Sequence, residues 1–186
     1  IAAITGTFFA PRQGKAVADV LIDGKIVNRG SRGTAIGVAW DGSVKIFDQL
    51  YGQPTDWTAY QWGLRGAVRI VRAGKVRPNP QWERFQDRRI WGRAARTGVG
   101  VTKAGKLVLI ATTYKVTLSQ LGKAMKSRGV VDAINLDGGG STCLYYKGKM
   151  IIAANRKLNN MFVISRRTAV AATAAESASL RTTVKR

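Results

Sequence analysis

The stretch Asn135-Leu136-Asp137-Gly138-Gly139-Gly140-Ser141-Thr142 is where residue types and spacing come nearest to chemistry. It follows Val130 to Leu136, an apolar and partly β-branched run that reads as a buried strand, so Asp137 stands at the strand's mouth. Three consecutive glycines let main-chain N–H groups approach a bound anion closely, and Ser141 and Thr142 add hydroxyls. Two readings stay open on these residues alone: a tight turn with a capping Asp, or a ligand-binding loop around a carboxylate.

Three other features compete for a role. Arg96 opens the run Arg96-Thr97-Gly98-Val99-Gly100, where a guanidinium just before a buried strand can grip a carboxylate or phosphate in bidentate fashion, or simply lie on a solvated face. Arg84, Arg88, Arg89, Arg93 and Arg96 interleave with Phe85 and Trp91. That pattern suits a nucleic-acid backbone with stacked bases, but no recognised nucleic-acid module accompanies it, and an amphipathic stretch covering the core is the favoured reading. Cys143 reads as a small buried hydrophobe, because no histidine is present to activate it.

Composition narrows the chemistry further. The chain of 186 residues holds one cysteine and no histidine, which excludes an internal disulfide, a Cys/His zinc site and Ser-His-Asp or Cys-His catalysis. Ten carboxylates are present, and only Glu83 and Glu176 are glutamates. Acid–base work therefore falls to very few groups. Asp137 with main-chain carbonyls forms no multi-carboxylate cluster, so no metal and no cofactor is expected. A net charge of +21 and a pI near 11.1 favour anionic partners such as acidic glycans, nucleic acid or lipid headgroups. No apolar run is long enough for a transmembrane helix, and the sequence from Ile1 onward shows no charged leader, long apolar segment and cleavage site in order, so Ile1 is read as a processed end or a chosen boundary.

The elements that must hold these residues are mostly hairpins. Asp23-Gly24, Asp41-Gly42, Ala73-Gly74, Ala104-Gly105 and Lys147-Gly148 each separate two β-prone runs, giving five predicted hairpins. Thr117 and Gln120 have the capping-box spacing, Leu118, Leu121 and Met125 recur at helical intervals, and Gly129 stops the pattern, which predicts a helix over 118–128. Residues 49–66 carry Trp57, Tyr60 and Trp62 without clear period and read as a long loop with a helical turn. The expected fold is α+β: a mixed, mostly antiparallel sheet built from hairpins with a few packed helices, in a single domain over 1–167. Residues 168–186 are rich in Ala, Ser and Thr and read as a basic tail that docks on a neighbouring subunit, for example as an added strand, making a homo-oligomer or larger assembly.

The block from Arg96 to Gly100, the strand Leu107-Val108-Leu109-Ile110, the helix from Thr117 to Gly129 and the loop Asp132 to Thr142 together resemble the phosphodiester glycosidase family. Thr5-Gly6-Thr7-Phe8-Phe9 is similar to that family's opening Asn-Gly-x-Phe-Phe, Ile70 to Lys75 to its Leu-Val-x-x-Gly-Lys hairpin, and Arg156 to Phe162 to its closing Arg-x-Val-x-Asn-x-Leu. The resemblance spans roughly residues 1–165. It implies hydrolysis of a sugar-1-phosphodiester at the glycosidic C–O bond, in a secreted or cell-surface setting. It implies Asp137 and Arg96 as catalytic, with Thr5, Gly138, Gly139, Gly140, Ser141, Thr142, Arg156 and Asn160 holding substrate or phosphate. Thr5 replaces the family's usual Asn and puts turnover in question. The alternatives are a self-assembling surface or filament subunit with weakened catalysis, and a binder of anionic polymer or nucleic acid.

Overall fold

The computed structural model describes residues 1–10 and 12–165. In chain order the elements are β1 (Ala2–Thr5), β2 (Phe9–Ala10), β3 (Lys15–Ala16), β4 (Val20–Ile22), β5 (Lys25–Asn28), β6 (Thr34–Ala39), β7 (Val44–Phe47), β8 (Tyr60–Arg72) and β9 (Lys75–Val76). Then follow α1 (Arg88–Trp91), β10 (Ala94–Thr102), β11 (Leu107–Val116), α2 (Leu118–Lys126), β12 (Val130–Leu136), a 3₁₀ turn (Gly139–Ser141), β13 (Leu144–Tyr146), β14 (Lys149–Ile152) and β15 (Met161–Ile164).

All five expected hairpins pair, as β4/β5, β6/β7, β8/β9, β10/β11 and β13/β14. At Asp23-Gly24, Ala73-Gly74 and Lys147-Gly148 both central residues have positive φ. That is the twist a two-residue hairpin needs to match its strands. Every strand pairing among the described residues is antiparallel, so the sheet is not mixed as expected. The protein is mainly β: α1 and α2 are its two α-helices among the described residues.

A large sheet runs β11-β10-β12-β8-β4-β5, with β6 also paired to β8; a small sheet runs β14-β13-β1-β15. Strand alternation divides the apolar residues of the large sheet between its faces. Val99, Val101, Ile134 and Leu136, with Leu107 and Leu109, meet Ile4, Leu144 and Phe162 of the small sheet. Ala133, Val108 and Ile110 join Leu118, Leu121 and Met125 of α2 on the opposite face. The layers are thus small sheet, large sheet, helix.

Two boundaries differ from expectation. Helix α2 ends at Lys126, with Ser127 as its C-cap and Gly129 at φ +76° turning the chain into β12. Its capping box forms as the Thr117 and Gln120 spacing predicts. The segment expected as a loop through Gly66 becomes strand from Tyr60 onward. Pairing on both sides, to β6 and β4, supplies ladder bonds that no local pattern announces, while Trp57 closes over Gly63, where a Cβ would lie 2.3 Å from the indole ring. The tail at 168–186 and its expected docking lie outside the described residues. No helix among the described residues is long and apolar enough to cross a membrane.

Candidate active site

Asp137 lies at the seam between the two sheets. β12 ends at Leu136 in the large sheet, and within seven residues the chain has joined the small sheet as β13. The crossing is made by the glycine loop and is pinned from three sides. The Asp137 N–H donates to the Gly6 carbonyl at 3.0 Å, just beyond β1. Thr97 of β10 donates its hydroxyl to the Asp137 carbonyl. Asn155 N–H donates to the Gly140 carbonyl at 2.8 Å. Gly138 has to be glycine because a Cβ there would stand 2.5 Å from the Ala95 carbonyl oxygen.

The Asp137 side chain, 6% exposed as a residue, turns back into this loop. Its Oδ1 accepts from the Gly138 N–H at 3.0 Å. Its Oδ2 accepts from Arg156 Nη2 at 3.1 Å. Arg156 also donates from Nε to the Ser141 hydroxyl at 2.5 Å, and its guanidinium lies over the Phe9 ring, 4.9 Å from the centroid. Burial raises the pKa of Asp137 above the ordinary carboxylate value, and the hydrogen bond from Ser141, the charge of Arg156 and the Gly138 N–H oppose that rise without cancelling it. The result is a carboxylate that is desolvated, oriented and basic for its kind. The N–H groups of Ser141 and Thr142 close the 3₁₀ turn onto Gly138 and Gly139, which leaves Gly139 and Gly140 as the exposed lip of the loop.

Thr5 does not face the carboxylate. It is buried, and its hydroxyl donates to the Ser141 carbonyl and accepts from the Cys143 N–H at 3.0 Å. One hydroxyl oxygen thus does what an Asn amide does with two atoms, donating and accepting in the same place. The departure from the family's Asn leaves the loop braced. Thr5→Val, nearly the same shape without the hydroxyl, strands the Cys143 N–H and the Ser141 carbonyl; we expect a loss of about 1–3 kcal/mol in denaturant unfolding, whereas Thr5→Asn should retain most of the stability.

Asn160 completes the frame from the other side. Its Oδ1 accepts from the Thr7 N–H at 2.8 Å, and its carbonyl accepts from the Gly6 N–H at 3.1 Å. Thr142 Oγ1 and Asn135 Oδ1, at the two ends of the motif, are buried without a hydrogen-bond partner among the described residues. Each such group costs roughly 1–3 kcal/mol, and such costs concentrate where function demands a particular geometry.

Arg96 is brought to the loop by its main chain and taken away from it by its side chain. Its Cα would lie 3.3 Å from a Cβ on Gly138. Its guanidinium, however, donates to the carbonyls of Ile90 at 2.9 Å and Gly92 at 2.6 Å, with longer contacts to Arg89 and Val116 at 3.4 Å. Burial lowers its pKa. The side chain caps the C-terminal carbonyls of α1, where a cation is favoured.

Arg89, on α1, is the residue that sequence reasoning left in an undifferentiated basic patch. Its pKa is raised first by its hydrogen bond to Asp87, then by the charge of Asp87, with a smaller contribution from the charge of Asp137. This exposed guanidinium is held by Asp87, whose Oδ2 accepts from Nε at 3.0 Å and from Nη2 at 2.6 Å. Nothing in the spacing of five arginines singles this one out; the fold of α1 does.

The one glutamate among the described residues is also perturbed. Glu83 is buried, accepts from the Thr34 hydroxyl at 2.5 Å and from the Arg69 N–H at 3.0 and 3.1 Å. Burial pushes its pKa up to about 7, with the hydrogen bonds from Thr34 and Arg69 pulling the other way. A carboxyl whose folded pKa exceeds its unfolded value binds more protons when folded. Its contribution is therefore complete below the unfolded pKa and is lost as pH rises through about 7. Stability should fall by up to about 3 kcal/mol across that window. Glu83→Gln, whose amide oxygen can keep both acceptor roles, should flatten that slope in urea titrations run at a series of pH values.

A sequence profile of the phosphodiester glycosidase family matches residues 1–176, and the chain belongs to that family. The N-acetylglucosamine-1-phosphodiester alpha-N-acetylglucosaminidase of Mus musculus is 25% identical over 164 residues, covering 78% of this chain and 31% of the relative. The protein of the same name from Bos taurus is 26% identical over 162 residues, with the same coverage of 78% and 31%. The chain thus spans less than a third of the length of these curated relatives. Among solved structures, the catalytic domain of zebrafish N-acetylglucosamine-1-phosphodiester alpha-N-acetylglucosaminidase, auto-inhibited by its pro-peptide, matches with a TM-score of 0.67 and 26% identity, over 81% of this chain and 55% of that one. A hypothetical protein from Synechocystis shares the fold at a TM-score of 0.59 and 16% identity, over 83% and 49% of the two chains.

Proposed function

We propose that the chain hydrolyses a sugar-1-phosphodiester at its glycosidic C–O bond, acting on an extracellular or envelope glycan as a secreted or surface protein. The observation that carries this reading is the buried Asp137 carboxylate held between the Gly138 N–H and the half-exposed Arg156, beside the exposed lip of the glycine loop. A phosphodiester brings one negative charge; Arg156, bonded to Asp137, supplies positive charge at the carboxylate, and Arg89, itself paired with Asp87, adds a weaker long-range one. As the anomeric C–O bond breaks, its electron pair leaves on the phosphate oxygen, and that growing charge is what the arginines stabilise. Water adds to the anomeric carbon and gives its proton to the Asp137 carboxylate, whose raised basicity suits the task. A phosphomonoester is a good leaving group, so the scheme does not require a second carboxylic acid as proton donor. Arg96 acts from behind, fixing α1 and so the place of Arg89.

The test is release of free N-acetylglucosamine from UDP-N-acetylglucosamine and from an aryl ester of N-acetylglucosamine-1-phosphate, the sugar being taken from the names of the relatives. Release from either supports the reading. No release from these or from the glucose and galactose counterparts overturns it.

A further inference from the structure

Away from the Asp137 loop, a cavity of about 620 Å³ opens between residues 49–53 and 79–84. Its volume falls within the roughly 300–1,000 Å³ of sites that enclose small ligands. Its lining is unusual for this protein. In a chain with 31 Lys and Arg, the polar groups here are chiefly the neutral amides of Gln49, Gln53, Asn79 and Gln81, set beside the aromatic rings of Tyr51 and Trp82. Both rings are about half exposed, Tyr51 at 53% and Trp82 at 52%. Amides offer a donor and an acceptor side by side, which matches vicinal hydroxyls, and flat apolar rings match the C–H face of a pyranose. Arg84 is the one basic residue in the lining, and Glu83 the one acidic residue; the Arg32 guanidinium lies over one face of the Tyr51 ring, 5.7 Å from its centroid, which leaves the other face to a ligand.

The walls are preorganised. Arg65, wholly buried, donates to the carbonyls of Leu50 at 2.8 Å, Gln53 at 2.6 Å and Gly33 at 3.0 Å, fixing one wall. On the other wall Asn79 Oδ1 accepts from the Trp82 N–H at 3.1 Å, which holds the turn that presents Trp82 and orients the Asn79 amide. Glu83 is held at the base by Thr34 and by the Arg69 N–H. Rigid walls lower the ordering cost of binding a flexible, polar ligand. The Arg65 carbonyl in turn accepts from the Thr7 hydroxyl at 2.6 Å, so this wall and the frame around Asp137 rest on the same strand, β8.

We infer that this cavity is a second binding site, for a neutral sugar residue of a glycan chain, with Trp82 and Tyr51 as stacking surfaces and the Gln49, Gln53 and Gln81 amides as hydroxyl partners. It is distinct from the hydrolytic site and does not rest on turnover there. The experiment is isothermal titration of the full chain carrying Asp137→Asn with three neutral trisaccharides, tri-N-acetylchitotriose, cellotriose and maltotriose, and with uridine as a planar heterocycle control. Saturable binding of at least one trisaccharide, weakened tenfold or more by Trp82→Ala and by Gln53→Ala, is expected. Because Trp82 is half exposed, its removal should leave thermal unfolding unchanged, and circular dichroism checks that. No saturable binding of any trisaccharide up to about 10 mM, binding indifferent to both substitutions, or preferential binding of uridine overturns the inference.

Discussion

Asp137→Asn is expected to lower sugar release by about 10²–10⁴-fold, the range a positioned general base contributes, while the fold stays intact. Asn is nearly the same shape, and its amide oxygen can still accept from the Gly138 N–H as Asp137 Oδ1 does at 3.0 Å. What disappears is the negative charge and, with it, the acceptor that Oδ2 offers the half-exposed Arg156, which can turn to solvent instead. That charge is unfavourable to the folded state, because burial raises the pKa of Asp137 despite Arg156 and Ser141. The substitution should therefore leave the thermal midpoint unchanged or higher, so loss of activity cannot be traced to loss of structure. The pH profile offers an independent reading. Activity should rise as Asp137 loses its proton, with an acidic limb shifted upward from the ordinary Asp value by burial. Arg156→Ala removes an opposing charge and should move that limb to higher pH, besides weakening the hold on an anionic substrate. If Asp137→Asn kept normal kcat/KM, or the limb did not move in Arg156→Ala, the assignment of the base would be wrong.

How much of this was legible in the sequence differs by feature. The hairpins were, because Asp23-Gly24, Ala73-Gly74 and Lys147-Gly148 are local devices whose backbone angles depend on two residues alone. The cap and apolar face of α2 were legible for the same reason. The strand from Tyr60 was not, since its stability comes from two partners distant in sequence. At the site, the loop from Asp137 to Thr142 announced itself through an apolar strand running into three glycines. Its neighbours Thr5, Arg156 and Asn160 were reached through family resemblance, and the structure brings Thr5 and Arg156 to the loop and Asn160 to the Gly6-Thr7 segment that braces it. The details of what each touches were beyond reach: Thr5 and Asn160 bond main chain, and only Arg156 touches the carboxylate. Glu83 carried no local signal either, because its perturbed state is made by burial against β6 and β8 rather than by its neighbours in sequence.

Arg96 is the position where a sequence motif and a side chain part company, and its replacement should be among the most damaging to stability. Arg96→Ala removes donors from the carbonyls of Ile90 and Gly92, at 2.9 and 2.6 Å, in a residue only 3% exposed. Hydrogen bonds from a charged donor are worth about 1.5–3 kcal/mol each, so the loss is about 3–6 kcal/mol, read from the midpoint of denaturant unfolding. Lysine keeps the charge but has a single ammonium in place of a planar fork, and should recover only part of it. The effect on catalysis follows from where those carbonyls lie. They end α1, the short helix that carries Arg89 and its ion pair with Asp87. Without its cap, α1 loosens, Arg89 loses its fixed place, and KM for an anionic substrate should rise more than kcat falls, measured under conditions where the variant remains folded. The opposite outcome, stability within about 1 kcal/mol of the parent with kcat lost, would mean that the guanidinium leaves these carbonyls and engages the phosphate itself.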